Sequence, residues 1–222
     1  MKTRFVTVFA VVLVCTLATW QLGLQPRAEA NGGAFVAAVV AIPALGGDEA
    51  AYVGANKCKK CHLPQSKSWK DGKKAKAIEV LLPGNAAETK AKHNLDVNKD
   101  YSKDETCLPC HTTGFGHPGG YAVPAEGDEA AAKAAPKMAG VGCESCHGPG
   151  GAYLDLHDEI MKSKRTYKAE EMHAGGMNKI EDALCITCHN DKSPTFDAAN
   201  PFDFAKMKDQ GGHDHFELKQ RE

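Results

Sequence analysis

The pattern Cys-x-x-Cys-His occurs four times in this 222-residue chain. Two thiols at this spacing can form thioethers with the two vinyl groups of one porphyrin, while the adjoining imidazole binds the iron. Structural zinc sites also use paired cysteines, but zinc does not require a histidine directly after every second cysteine. The motifs therefore predict four covalently bound haem c groups. The predicted attachment residues are Cys58, Cys61, Cys107, Cys110, Cys143, Cys146, Cys185 and Cys188, and the predicted proximal iron ligands are His62, His111, His147 and His189.

The start of the chain has the pattern of an export signal, which thioether attachment outside the cytoplasm requires. Lys2 and Arg4 precede an apolar stretch, and Ala28-Glu29-Ala30 resembles a small-residue cleavage site. We predict a signal peptide over residues 1–30, a flexible lead-in over 31–56 and a periplasmic mature protein. An uncleaved N-terminal anchor is the alternative, because residues 6–24 almost reach the roughly 20 apolar residues that span a bilayer. The ninth cysteine, Cys15, lies in this stretch, so no cysteines remain for a disulfide framework.

Charge and length limit the remaining possibilities. The chain has 27 basic and 28 acidic residues, and it contains no phosphate loop or nucleotide fingerprint, so nothing indicates nucleic acid binding. A mature chain of about 190 residues with four macrocycles must use the haems themselves as much of its apolar core. We therefore predict one haem-centred domain over residues 57–222.

The segments between the motifs predict short helices and long loops, which gives a mainly α fold with few strand signals. Residues 114–120 and 122–140 are predicted as loop, the second as an exposed excursion. The predicted helices cover residues 68–82, 86–95, 153–164 and 177–189, with two short helices in 202–218.

The function of each haem depends on the distal side of its iron. A haem with a protein ligand on both sides carries electrons, whereas a haem with an open distal side can bind or convert a small molecule. His157 follows the third motif on an apolar helical face and is predicted to bind iron. One member of the pair His213 and His215 is also predicted as a ligand. His117 and His173 are expected to be exposed, since both lie beside glycines.

The chain resembles the tetrahaem cytochrome c-554 family of ammonia-oxidising bacteria over residues 57–218. The similarity lies in Ser68-Trp69-Lys70-Asp71 after the first motif, and in Lys99-Asp100-Tyr101 before the second. It continues in Gly114-Phe115-Gly116 and Gly119-Gly120-Tyr121 after the second motif. The segment from Gly140 to Gly150 and the element His213-Asp214-His215-Phe216 complete it.

The resemblance implies a mostly helical fold with closely stacked haem pairs. It implies three haems with two histidine ligands each, with His213 as one distal ligand, and an open haem at His111. It also implies electron transfer from hydroxylamine oxidoreductase towards membrane cytochromes, and a nitric oxide reductase activity at the open haem.

Lys74 stands where the family has a distal histidine. Its amine could bind the iron, since burial favours the neutral form of a lysine. Alternatively, its ammonium could reach solvent or a haem propionate. His93, ahead of the second motif, could instead fill the vacant side.

Three functions follow from this reading: an electron carrier, a reductase of nitric oxide or another small nitrogen oxide, and a subunit of a polymeric cytochrome wire. Residues 57–76 contain eight lysines and one acid, either a docking patch for an acidic redox partner or a solvated surface. Trp69 is expected to pack against haem or core, and Glu144 and Ser145 are expected to be exposed loop residues.

Overall fold

Short helices joined by long loops make up the structure, a computed structural model that describes residues 50–222. The predicted signal peptide and the first part of the lead-in lie outside the described residues. The described helices are α1 (Ala55–Cys58), α2 (Leu63–Asp71), α3 (Ala87–Lys92), α4 (Leu108–His111), α5 (Glu129–Met138), α6 (Cys143–His147), α7 (Leu154–Ser163), α8 (Ala169–Ala174), α9 (Asp182–Cys185) and α10 (Phe204–Met207), with 3-10 turns at Glu79–Leu81 and Gly150–Ala152.

Extended pairing is minimal, which confirms the mainly α prediction. Over residues 50–222 the only β contacts are two isolated bridges, an antiparallel one between Thr112 and Ala139 and a parallel one between Tyr167 and Arg221. Within the same residues, no helix is both long and apolar enough to cross a bilayer.

The predicted helix over residues 68–82 is wrong beyond Asp71. Gly72 ends α2 in an extended conformation, and the chain continues in turns to Ile78. The backbone carbonyls that a helix would use internally bind distant groups here. The carbonyl of Lys74 accepts the N–H of Val141 at 2.9 Å, and that of Ala77 accepts the ring N–H of His111 at 2.6 Å.

The predicted exposed excursion over residues 122–140 is also wrong in its second half. Asp128 caps α5 by accepting the N–H of Ala131 at 2.9 Å. Ala135 and Met138 on this helix are buried, and the carbonyl of Met138 accepts the N–H of Thr113. This segment therefore supports the turn that follows the second motif.

The remaining helix predictions have mixed outcomes. The helix over residues 153–164 is confirmed as α7, and that over 86–95 is confirmed in its centre as α3. The predicted helix over 177–189 is reduced to the four residues of α9, and the C-terminal segment contains α10 alone. The first of these segments contains the fourth motif, where the chain forms turns after Cys185.

The apolar core of the described residues is small and divided. Nine apolar side chains are buried. One cluster surrounds Leu108 beside the second motif, and the other joins Tyr153, Ile160 and Met172 along α7 and α8. Clusters this small agree with a fold that uses its cofactors as core.

The strand-like segment before the third motif packs closely on the turn after α2. Gly140 has a φ of +77°, and a Cβ atom there would lie 2.2 Å from the carbonyl oxygen of Ala75. The Trp69 indole donates to the carbonyl of Val141 at 2.9 Å. Trp69, predicted to pack against haem or core, thus contacts the backbone that leads into the third motif.

Candidate haem-binding site

Each Cys-x-x-Cys-His motif forms about one turn of helix. The N–H of His62 binds the carbonyl of Cys58 at 2.9 Å, and the N–H of His189 binds that of Cys185 at 3.0 Å. One turn brings residues three positions apart to the same side of the backbone. The two thiols of a motif therefore face one direction, as attachment to one porphyrin requires.

Thiols of different motifs meet in two pairs. The thiol of Cys58 in the first motif lies close to that of Cys143 in the third, and its interaction with Cys143 raises the pKa of Cys58. The thiol of Cys110 in the second motif is similarly close to that of Cys188 in the fourth. The fold thus brings the first motif against the third and the second against the fourth. Haems attached at these cysteines would be neighbours within each pair.

Two histidine pairs have the geometry of ligands to a shared iron. The ring centres of His62 and His157 are 5.5 Å apart, and those of His147 and His213 are 6.3 Å apart. Two imidazoles bound to one metal from opposite sides have ring centres about 6 Å apart, because each metal–nitrogen bond is about 2 Å. The residues present therefore fit haem c at the first and third motifs.

Burial favours the neutral form of the two proximal imidazoles, His62 and His147, which is the form that binds a metal. Burial, and after it the neighbouring His213, lowers the pKa of His147 to about 4. Burial, followed by the charge of His157, also lowers the pKa of His62. Protons therefore compete weakly for these nitrogens at neutral pH.

A cavity of about 330 Å³ lies beside the first pair. Cys61, His62 and His157 line it together with Gln65 and the C-terminal Phe216. The buried amide oxygen of Gln65 has no hydrogen-bond partner. An unsatisfied amide in a cavity lined by an attachment cysteine and two imidazoles fits a bound group with polar substituents.

His111 of the second motif has a different environment. Its Nδ1–H donates to the carbonyl of Ala77 at 2.6 Å, which fixes the ring and leaves Nε2 for the iron. No ring of another described residue pairs with that of His111. Thr112 and Thr113 directly after it are buried.

His189 of the fourth motif lies against Phe202, with ring centres 4.6 Å apart and planes inclined by 16°. Lys74 is close to this motif. After burial, the charge of Lys74 contributes to lowering the pKa of His189, and it also acts on Cys146 and Cys185. Lys74 is half-buried, whereas Lys73 and Lys76 are exposed.

The other candidate histidines are distributed around these centres. His93 is half-buried at the end of α3, and His215 is exposed with its ring 5.5 Å from that of His213. His117 is exposed, as predicted. The expected exposure of His173 is wrong: it is half-buried, its Nδ1–H donates to the carbonyl of Met177 at 3.0 Å, and it lies near His147.

Sequence reasoning missed two residues that organise the site. Glu144, expected to be exposed, is 1% exposed and accepts three backbone N–H groups. Thr113 joins the second motif to the third, since its hydroxyl donates to the carbonyl of Gly140 at 2.8 Å and accepts the N–H of Gly142. The only sequence signal for Glu144 was its position between two attachment cysteines.

Comparison with known proteins agrees with this geometry. The family described as "Cytochrome c554 and c-prime" matches residues 57–148. Cytochrome c-554 of Nitrosomonas europaea is 33% identical over 192 residues, with 77% of this chain and 78% of the relative covered. The chain belongs to the cytochrome c-554 family. The structure titled the reduced state of cytochrome c554 from Nitrosomonas europaea matches with a TM-score of 0.66 and 34% identity, covering 78% of this chain and 90% of that one.

Membership of the cytochrome c-554 family establishes the cofactor and the general activity. The chain is a c-type cytochrome that carries electrons and has four covalently bound haem c groups. The prediction of a mainly α, haem-centred fold like that of cytochrome c-554 is confirmed. As an electron carrier, the protein exchanges electrons with redox partner proteins.

Proposed function

We propose that this cytochrome is an exported, periplasmic carrier that accepts electrons from a hydroxylamine oxidoreductase-like donor and passes them to a membrane cytochrome. When bound, haem c supplies one-electron redox chemistry. The observation that carries the proposal is the pairing of the first motif with the third and the second with the fourth. Close motifs support electron transfer within each pair without any binding of substrate.

The proposed ligands follow from the imidazole geometry. His62 and His157 hold the first iron, and His147 and His213 hold the third. The second and fourth irons have His111 and His189 on their proximal sides. His215 is exposed and lies outside this ligand set.

Lys74 is proposed as the distal ligand of the fourth haem. Its backbone is fixed by the hydrogen bond from Val141, and its side chain points to the third and fourth motifs. A Cβ atom on Gly211 would lie 2.9 Å from the Lys74 Nζ. The amine therefore lies against Gly211, which is two positions before the proposed ligand His213 in the chain. His93 lies on α3 and, in this assignment, is not a ligand.

The exposed lysines around the first motif support docking of an acidic donor. Seven lysines between residues 57 and 76 are exposed, with Asp71 as the one acid among them. None of the seven forms an ion pair with a described residue. Cys61 and Leu63 of this surface are also exposed, so a haem attached at Cys61 would lie among these positive charges.

Stopped-flow reduction of the oxidised cytochrome by a reduced hydroxylamine oxidoreductase tests the proposal. We expect rapid reduction that slows as ionic strength rises, because the attraction between exposed charges is screened. Changing Lys59 and Lys60 to Glu should slow it at least tenfold at low salt. The matched change of the exposed Lys133 and Lys137 on α5 should have little effect. Reduction that is slow and insensitive to salt would refute the proposed donor.

A second candidate function, reduction of nitric oxide or another small nitrogen oxide, is favoured by His111. Among the described residues no imidazole faces this ring, while two imidazole pairs serve other motifs. Reducing two nitric oxide molecules to nitrous oxide and water consumes two electrons and two protons. The other three haems could supply those electrons.

Gas binding to the reduced protein tests this second function. We expect carbon monoxide to bind close to one haem of the four and nitric oxide to be consumed under reducing conditions. If neither gas changes the absorption spectrum, all four irons have two protein ligands and the reductase function is excluded.

A further inference from the structure

Glu144 is the most deeply buried charged side chain in the described residues, with 1% of its surface exposed. Its Oε1 accepts the backbone N–H groups of Val53 at 2.9 Å and Gly150 at 2.7 Å, and its Oε2 accepts that of Gly54 at 2.7 Å. Hydrogen bonds from N–H groups are strongest when the acceptor is a charged carboxylate, and this carboxyl group accepts three of them. No described lysine or arginine forms an ion pair with it, so the negative charge is hydrogen-bonded but not neutralised.

This carboxylate lies where the first and third motifs meet. Glu144 directly follows Cys143, and the amide of Gly54 that it binds comes just before α1, which ends at Cys58. The thiols of Cys58 and Cys143 lie close to each other. The field of the carboxylate extends across the junction: burial, and after it the charge of Glu144, raises the pKa of Tyr52.

We infer that Glu144 is a fixed buried anion that lowers the reduction potentials of the two haems attached at the first and third motifs. A ferric haem carries one more positive charge than a ferrous haem, so a nearby negative charge stabilises the oxidised form. Inside a protein this attraction is stronger than in water, and the three amides hold the carboxylate in position. The second and fourth motifs have no comparable buried acid among the described residues.

The inference deepens the proposed electron-carrier function and rests on it. A purely structural role is the competing explanation, since the same three hydrogen bonds fasten residues 53 and 54 to the third motif. The two roles differ in what they predict for the potentials. A structural clasp affects stability alone, whereas a buried charge also changes the equilibrium between ferric and ferrous iron.

The test is a redox titration of the four-haem protein followed by optical and electron paramagnetic resonance spectra. In Glu144→Gln, which keeps the shape and removes the charge, we expect the midpoint potentials of two haems to rise. The expected size is about a tenfold change in the reduction equilibrium, or about 59 mV for a one-electron couple. The other two haems should be unchanged. The titration needs no partner protein, so failure of the proposed donor would not affect it.

Glu105→Gln is the matched control, because Glu105 is exposed and lies two residues before Cys107. It should leave all four potentials unchanged. If Glu144→Gln lowers the melting temperature but moves no potential, the inference is overturned.

A second variant covers the case in which Glu144→Gln loses a haem. Ala51 is exposed and its carbonyl accepts the N–H of Gly151, next to the Gly150 amide that binds Glu144. Ala51→Lys therefore brings a positive charge to the junction without altering Glu144. We expect it to raise the same two potentials, by less than the removal of the carboxylate. Unchanged potentials in Ala51→Lys would then overturn the inference.

Discussion

Lys74 shows how one side chain can change the chemistry of a haem centre. It is half-buried beside the fourth motif, whereas the neighbouring Lys73 and Lys76 are exposed. If its amine binds the iron, the fourth haem has a nitrogen ligand on each side. The alternative role, an ammonium paired with a haem propionate, leaves the iron without this ligand.

Substitution of Lys74 separates these roles. In Lys74→Met we expect one low-spin signal to change in the electron paramagnetic resonance spectrum of the oxidised protein, because the fourth iron loses its distal ligand. In Lys74→His we expect the signal of a haem with two histidine ligands. Lys73→Met, at the exposed neighbouring position, should leave the spectrum unchanged. An unchanged spectrum in Lys74→Met would exclude the amine as a ligand and favour the propionate pair.

At the scale of elements, tertiary hydrogen bonds replace helix in the turn after α2. The carbonyl groups of Lys74 and Ala77 accept hydrogen bonds from Val141 and from the ring of His111. Gly140 permits this close approach, since it has a φ of +77° and lies directly against the backbone of Ala75. The turn therefore positions one proposed proximal ligand and one proposed distal ligand together.

Gly140→Ala should disturb this contact. We expect a loss of about 2 kcal/mol in the free energy of unfolding, from the positive φ and from overlap with the Ala75 carbonyl. For a chain of this size the melting temperature should fall by about 4–8 °C. The measurement is thermal unfolding followed by circular dichroism at neutral pH.

Gly127→Ala is the control for the conformational part of that cost. Gly127 has a φ of +81°, but a Cβ atom there would have no heavy atom within 4 Å. Its melting temperature should fall by less than that of Gly140→Ala. Equal effects of the two changes would mean that the contact with Ala75 contributes nothing.

At the scale of the whole molecule, the protein side chains alone provide little core. The buried apolar side chains of residues 50–222 form two separate clusters, beside the second motif and along α7 and α8. Four covalently attached macrocycles must fill the space between the motifs. Haem attachment and folding are therefore coupled, as binding to the native state alone stabilises it.

Cys146→Ser should weaken this coupling, because it removes one of the two thioethers of the third haem. We expect the free energy of unfolding to fall by about 2 kcal/mol, with a lower melting temperature. We also expect a fraction of molecules with three haems. Intact mass spectrometry of the exported wild-type protein should give the chain from Asn31 plus four haems. Cys15→Ser, outside the motifs, should not change the haem count. Two or fewer covalent haems in the wild type would contradict the assignment.

The sequence by itself determined the number of haems. It also predicts the attachment cysteines and the proximal histidines. This chemistry is local: five consecutive residues within one helical turn bring two thiols and an imidazole to one side. The mainly α fold and helix α7 followed from similarly local patterns. The prediction that His157 is an iron ligand has the same local basis, since the residue lies on an apolar helical face.

Only the tertiary structure decided which motifs meet and which distal groups face them. The contact of His111 with Ala77 joins residues 34 positions apart, and those of Glu144 with Val53 and Gly54 join residues 91 and 90 positions apart. No local pattern encodes such contacts, because they depend on how the loops return to one another. For the same reason a predicted helix ended at Gly72 and a glutamate expected in solvent became the most buried charge: long-range hydrogen bonds there outweigh local propensity.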